Sequence, residues 1–91
     1  MALLTEDEIR TQLSGLSGWE RAGQEIRKTY RFDGFGNAMA FANRVAGLAE
    51  AADHHPDILI QYSAVTLTLS SHDAGGLTAR DFRLAESIDR P

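Results

Sequence analysis

The amino-acid sequence predicts an α+β fold in which helices pack on one face of a four-stranded antiparallel sheet. Two segments alternate apolar and polar side chains around a central turn, as expected for two β-hairpins. A long alanine-rich segment between them carries apolar residues at helical spacing, and shorter helical patterns stand towards both ends of the chain. The predicted order is therefore helix, strand, strand, helix, strand, strand, helix, in a single domain spanning 1–91.

Local signals define the first helix and the first hairpin. Thr5 and Glu8 predict a capping box, in which the Thr5 hydroxyl accepts a hydrogen bond from the third amide of the helix and Glu8 returns one. Strands are expected at 19–21 and 25–32, joined by a glycine-containing turn. On the second of these strands Lys28 falls on the apolar face and interrupts the alternation.

The long helix is predicted over 37–53, where apolar residues recur at three- and four-residue steps. Pro56 is its stop signal, because a proline disfavours helical backbone in the residue before it. The helix is therefore expected to end near Asp53 or His54.

The second hairpin is predicted from strands at 58–62 and 65–71, with 63–64 as the turn. In this register the apolar side chains of both strands share one face of the sheet, as pairing requires. When the same register is extended beyond the strands, His55 lies opposite His72.

The last helix is predicted to begin after Thr78, with Asp81 at its third position as the partner in a capping box. Asp81 has a second interpretation, as a carboxylate that orients an imidazole, but the local pattern by itself favours the cap. Trp19 and Tyr62 are expected to be core or groove aromatics.

Composition and charge exclude several classes of function. The chain has no cysteine, which rules out disulfides, thiolate metal ligands and cysteine nucleophiles and fits a reducing compartment. The net charge is -4 and the nine basic residues are scattered, so neither nucleic-acid binding nor a phosphorylated substrate is expected. No apolar run approaches the ~20 residues of a membrane span, and the acidic residues at 6–8 argue against a signal peptide. We therefore expect a cytoplasmic protein.

The three histidines flank the second predicted hairpin in the sequence: His54 and His55 precede it, and His72 follows it. Histidine is the side chain best suited to proton transfer near neutral pH. Glu50 stands four residues before His54, so on a continuing helix its carboxylate could hydrogen-bond the imidazole and fix the ring. The pattern indicates general acid–base chemistry.

Two other interpretations stay open on spacing alone. Adjacent histidines before a proline also suit an ordinary helix end, where a positive imidazolium complements the helix dipole. Asp53, Asp57 and Asp73 flank the histidines, which is compatible with a metal site. Spacing disfavours the metal, because adjacent histidines diverge and the chain has no His-x-x-x-His pair.

The residues around the histidines resemble the signature of the pterin-4a-carbinolamine dehydratases. The shared pattern is an acid, three residues, His-His-Pro, five residues, an aromatic, nine residues, a histidine, eight residues and an aspartate. Its positions in this sequence are Glu50, His54, His55, Pro56, Tyr62, His72 and Asp81. A pattern of this length is specific, and the family's chain length and element order also agree.

The resemblance implies an enzyme that removes water from 4a-hydroxytetrahydrobiopterin, or a bacterial equivalent, to give the quinonoid dihydropterin without a metal or cofactor. It implies His55 as the leading candidate for proton transfer at the hydroxyl, His72 as its counterpart, and His54 as a residue that orients the substrate or shares this work. The implied substrate-binding or supporting residues are Glu50, Asp81, Ser70 and Ser71.

A non-catalytic scaffold of the same fold is the alternative function. Animal members of the family also act as dimerisation cofactors for a homeodomain transcription factor, and some bacterial relatives assist assembly of a carbon-fixing enzyme. The intact histidine set favours the enzyme, because a scaffold does not need it. A thin core with exposed sheet edges, together with the resemblance, predicts a homodimer or homotetramer.

Overall fold

The computed structural model describes residues 2–90, so the two end residues of the predicted 1–91 domain lie outside it. Over this range the chain forms three helices and four strands in the predicted order. They are α1 (Glu6–Ser14), β1 (Glu20–Ala22), β2 (Glu25–Arg31), α2 (Phe35–Ala52), β3 (Asp57–Gln61), β4 (Ala64–Leu69) and α3 (Ala79–Asp89). Within residues 2–90, no helix combines the length and the hydrophobicity that a membrane span requires.

The sheet is antiparallel throughout, and its strand order is β1-β2-β4-β3. On one face, Leu67 and Leu69 of β4 and Ile26 of β2 are fully buried, and Ile26 pairs with Leu69 across the two strands. On the other face, the hydroxyls of Thr29 and Thr66 lie directly opposite each other and share a hydrogen bond of 2.8 Å. The helices cover the apolar face only, which confirms the predicted α+β class.

Short side chains on α2 allow it to lie close to the sheet. Its buried residues recur at three- and four-residue steps, as an amphipathic helix requires. They are Ala38, Ala42, Val45 and Ala49. The packing face of α3 carries larger side chains, which complete the core beside α2, and its buried apolar residues are Phe82, Leu84, Ala85 and Ile88.

The end of α2 is the feature that sets the direction of the following segment. The helix begins at Phe35, earlier than the predicted 37, and ends at Ala52 with Asp53 as its C-cap, as predicted. Asp53 has a φ of 49°, in the left-handed region that aspartate tolerates better than most residues. The left-handed conformation of Asp53 ends the helical repeat. His54 therefore does not lie where one more residue of α2 would have placed it.

The predicted register of the second hairpin is wrong. Gln61 pairs with Ala64, so the turn residues are Tyr62 and Ser63 rather than 63–64. Tyr62 has a φ of 52°, as the first residue of a primed hairpin turn requires, and such turns match the twist of the flanking strands. The bounds of all four strands differ from the predicted ones by at most two residues.

This change of register has two consequences. A shift of two residues keeps each side chain on its predicted face, so the apolar pattern is preserved. It removes the predicted opposition of His55 and His72 across the hairpin. Tyr62 stands at the hairpin tip with 73% of its surface exposed, so it is neither a core nor a groove aromatic, whereas Trp19 is buried in the core.

The structure explains why Lys28 interrupts the apolar face of β2. Its Nζ donates to the carbonyl of Ser17 at 2.7 Å and to Asp89 at 3.2 Å, and it lies 4.7 Å from the centre of the Tyr30 ring. Asp89 also accepts hydrogen bonds from the Trp19 indole at 2.8 Å and from the Tyr30 hydroxyl. These contacts fasten the C-terminal end of α3 to the sheet.

The ionisation of this cluster follows from its contacts. Burial raises the pKa of the Asp89 carboxyl, but the hydrogen bonds from Tyr30, Trp19 and Lys28 outweigh burial and lower it below its ordinary value. Burial, reinforced by the hydrogen bond to Asp89, raises the pKa of Tyr30 far above its ordinary value. Tyr30 is therefore a neutral donor and Asp89 a charged acceptor at neutral pH.

We predict that the Asp89 carboxylate makes the protein acid-sensitive. Its pKa is lower in the folded than in the unfolded chain, so its stabilising contribution is complete above the unfolded value and is lost as the pH falls through the folded one. Urea unfolding from about pH 7 to about pH 2 should give a steeper loss of unfolding free energy for wild type than for Asp89→Asn. Asp33→Asn, an exposed change of the same charge, is the control, and equal slopes for wild type and Asp89→Asn would contradict the prediction.

Candidate active site

Two segments bring the three histidines to one end of the sheet. His54 and His55 lie between the left-handed Asp53 and the start of β3, and His72 follows the end of β4. Because β3 and β4 are antiparallel neighbours, the start of one lies beside the end of the other. All three histidines line a single cleft of about 360 Å³, whose walls are Asp53, His54, His55, Ser70, His72, Asp73 and Arg80.

The loop that carries His72 is held at its base and at its side. The backbones of Ser71 and Gly76 form an isolated antiparallel bridge, with the Ser71 N–H donating to the Gly76 carbonyl at 2.9 Å. Asp73 forms an ion pair of 2.8 Å with Arg80 in the first turn of α3. His72 is itself exposed, so the loop presents an imidazole to the cleft and to solvent.

His54 is held by a buried carboxylate. Its Nε2 lies 2.6 Å from Oδ1 of Asp81, and Asp81 is fully buried. The other carboxylate oxygen accepts from the Ser71 hydroxyl and from the backbone N–H of Thr78, both at 2.9 Å. We assign the hydrogen of the ring to Nε2 because its partner is an acceptor, which leaves Nδ1 without a hydrogen bond among the described residues.

Asp81 therefore fills both roles that the sequence left open. Thr78 and Asp81 form the predicted capping box at the start of α3. The same carboxylate contacts His54, so the cap and the orientation of the imidazole are not alternatives.

The predicted pairing of Glu50 with His54 is wrong. Glu50 instead forms a short hydrogen bond with Nε2 of His55. The left-handed residue Asp53 turns His54 towards α3 and leaves His55 over the last turn of α2. The His55 and Glu50 side chains are 58% and 75% exposed, so this imidazole is open to the cleft and to solvent.

The two serines expected beside His72 have different surroundings. Ser70 lines the cleft, and its hydroxyl donates to the backbone carbonyl of Gln24 at 3.0 Å. Ser71 is fully buried behind the cleft and contacts Asp81 and Thr78. Of this pair, only Ser70 is placed to contact a molecule in the cleft directly.

Arg80 is a cleft residue that the sequence patterns did not indicate. Its Nη2 donates to Asp73 at 2.8 Å, and its Nε is buried without a partner among the described residues. The positive charge of an arginine is unfavourable in the first turn of a helix because of the helix dipole. This unusual placement is the one feature of the sequence that could have indicated a functional role for Arg80. Its remaining N–H groups can donate to an acceptor in the cleft.

The donor set of the cleft suits proton transfer. Within residues 2–90, no three histidine, aspartate or glutamate side chains lie close enough together to hold a metal ion. Two carboxylates near the cleft bind imidazoles: Asp81 binds His54, and Glu50 binds His55. A carboxylate on one ring nitrogen orients the imidazole and leaves the other nitrogen for an exchangeable proton.

Comparisons of sequence point to one family. The family model described as Pterin 4 alpha carbinolamine dehydratase matches residues 2–91. A Roseiflexus castenholzii protein named "Putative pterin-4-alpha-carbinolamine dehydratase" is 58% identical over 97% of this chain and 95% of its own length. A Mycobacteroides abscessus protein of the same name is 48% identical over 98% of this chain and 95% of its own length.

Comparisons of structure give the same result. A crystal structure of a transcriptional coactivator/pterin dehydratase from Brucella melitensis matches with a TM-score of 0.92 and 32% identity, over 97% of this chain and 96% of that one. A pterin dehydratase-like protein identified as a RuBisCO assembly factor in the alpha-carboxysome shares the fold, with a TM-score of 0.67 and 24% identity over 79% of this chain and 86% of that one. Since the family model and the relatives cover nearly all of it, this chain belongs to the pterin-4-alpha-carbinolamine dehydratase family.

Proposed function

We propose that this chain is a hydro-lyase that dehydrates 4a-hydroxytetrahydrobiopterin, or a bacterial pterin equivalent, to the quinonoid dihydropterin. We place this reaction in the recycling of tetrahydropterin in the cytoplasm. Family membership and the names of the relatives support a pterin carbinolamine dehydratase. The observation that carries the proposal is the convergence of His54, His55 and His72 on one cleft.

The chemistry requires two proton transfers and no change of oxidation state. The C4a–O bond breaks, the proton on N5 leaves, a C4a=N5 double bond forms, and the hydroxyl departs as water. A base must accept the N5 proton while an acid protonates the hydroxyl. General acid–base catalysis of this kind contributes a factor of about 10²–10⁴ in rate.

The exposed histidines are the proposed proton-transfer groups. We assign proton transfer at the departing hydroxyl to His55, whose ring is oriented by Glu50. His72, on the opposite segment of the cleft, is its counterpart at the ring nitrogen. His54 is less free to move because Asp81 holds it, so we assign it to orienting the pterin through Nδ1 or to sharing in proton transfer.

The size and polarity of the cleft support a pterin. A volume of about 360 Å³ lies within the ordinary range for small-molecule sites. A pterin presents amide, amine and ring-nitrogen groups along its edges, and Arg80 and Ser70 offer polar partners at the wall. A pterin needs no phosphate contact, so an acidic protein can bind it.

We predict that the wild-type protein accelerates the dehydration of chemically generated 4a-hydroxytetrahydropterin. His55→Ala and His72→Ala should each lower kcat by about tenfold or more, because each removes one proton-transfer group. Stopped-flow ultraviolet absorbance measures the reaction. Asn37→Ala, an exposed change near the start of α2, is the control for purification and handling.

Two outcomes would contradict this assignment. Wild-type rates in both histidine variants would show that the chemistry lies elsewhere. No acceleration by folded wild type would remove the enzymatic function and favour a scaffold role, such as that of the RuBisCO assembly factor that shares the fold.

We also propose that the protein is a homodimer or homotetramer. β3 is an outer strand, and its Ile58 and Leu59 are 36% and 53% exposed. An edge strand with exposed apolar side chains offers unpaired backbone groups to a second strand. The opposite edge, β1, has only three residues and exposes Glu20 and Arg21, so β3 is the better edge for pairing between copies.

Leu59→Lys is predicted to weaken self-association, because a lysine on an outer strand opposes pairing between edges. Light scattering at micromolar concentration should give a multiple of 10.0 kDa for wild type and a smaller mass for the variant. Thr29→Lys, on the inner strand β2, should keep the wild-type mass. A wild-type mass of 10.0 kDa would refute self-association, and an unchanged mass for Leu59→Lys would exclude the β3 edge.

A further inference from the structure

The histidines of the cleft are held in different ways. His55 is bound by Glu50 at the surface, whereas His54 is connected to a chain of buried groups that leads into α3. The chain consists of Asp81, Ser71 and Thr78, each of which is fully buried. Buried polar groups of this kind are stable only when each one has its partners.

The direction of each hydrogen bond in the chain is determined by chemistry. The Asp81 carboxylate can only accept, so the Ser71 hydroxyl gives its single hydrogen to Oδ2 at 2.9 Å. The hydrogen between the Ser71 and Thr78 hydroxyls, which are 2.8 Å apart, must then come from Thr78. The bonds therefore run from Thr78 through Ser71 to Asp81, and donors arranged in one direction strengthen one another.

Ser71 contacts both histidine segments through different parts of the residue. Its backbone pairs with Gly76 and so closes the loop that carries His72. Its side chain reaches Asp81 and, through that carboxylate, His54. A substitution that changes only the side chain can therefore separate the two effects.

We propose that Ser71 is a positioning residue of the active site, whose hydroxyl fixes the plane of the Asp81 carboxylate and so holds His54 as the Nε2–H tautomer with Nδ1 free for the substrate. Without the hydroxyl, Oδ2 keeps only the backbone N–H of Thr78, and the carboxylate gains freedom to rotate. The imidazole then loses its single preferred acceptor. The catalytic importance of Ser71 rests on the proposed dehydratase function, but the His54 tautomer can be observed without substrate.

The first test is long-range ¹H–¹⁵N NMR of the imidazoles in the free protein. Wild type should show His54 as one Nε2–H tautomer, and Ser71→Ala should show a mixture, while the signals of His72 keep their wild-type pattern because the backbone bridge remains. Ser70→Ala is the matched control, since that hydroxyl bonds to Gln24 and should leave the His54 signals unchanged. A single wild-type tautomer in Ser71→Ala would overturn the proposal.

A second variant covers the case in which Ser71→Ala does not fold. Ser71→Cys keeps a side chain of similar shape with a weaker hydrogen-bond donor, so a partial loss of the His54 tautomer is expected. Circular dichroism and thermal unfolding would establish that each variant is folded. A folded Ser71→Cys with the full wild-type tautomer would count against the proposal.

The second test uses the dehydration reaction. Loss of one positioning hydrogen bond should lower kcat/KM by about three- to tenfold, because Ser71 acts on the substrate only through Nδ1 of His54. A kcat/KM within about twofold of wild type, in a Ser71→Ala variant whose His54 tautomers are mixed, would overturn the catalytic part of the proposal. If wild type shows no dehydratase activity, the proposed function fails, and the NMR result still decides whether Ser71 holds His54.

Discussion

The carboxylate of Asp81 connects the folding of the last helix to the geometry of the cleft. One of its oxygens accepts from the backbone of Thr78 and begins α3, and the other accepts from His54 at 2.6 Å. A fully buried carboxylate is costly unless donors surround it, and here the Ser71 hydroxyl supplies another. The start of α3 and the orientation of His54 are therefore stabilised by the same group, and neither can form its full set of contacts without the other.

The opposite end of α3 is fixed in a comparable way. Asp89 accepts from side chains of β2 and from the Trp19 indole, and Arg44 of α2 donates to the carbonyls of Ile88 and Arg90 at 2.9 and 2.8 Å. The last turn of α3 has no basic residue of its own, so Arg44 supplies the positive charge that complements its dipole. With both ends held, α3 is a rigid support for Asp81 at the cleft.

The sequence predicts those features that depend on local pattern. The element order, the end of α2 and the Thr78 cap follow from periodicity and from single residues. The hairpin register cannot be predicted from local pattern, because two registers that differ by two residues bury the same apolar face. The partner of Glu50 cannot be predicted in this way either, since the left-handed residue Asp53 interrupts the helical spacing. Spacing alone also leaves acid–base chemistry, a metal site and a helix end unresolved; the family resemblance favours the first.

The proposed dehydration requires that a pterin binds between His54, His55 and His72. The most direct measurement is an NMR titration of the ¹⁵N-labelled protein with 7,8-dihydrobiopterin, a stable analogue of the product, observing the imidazole and backbone signals. We predict saturable shifts at the three histidines and at residues of the cleft wall, with little change at the hairpin tip around Tyr62. Saturable shifts confined to another surface, or none at millimolar ligand, would contradict it.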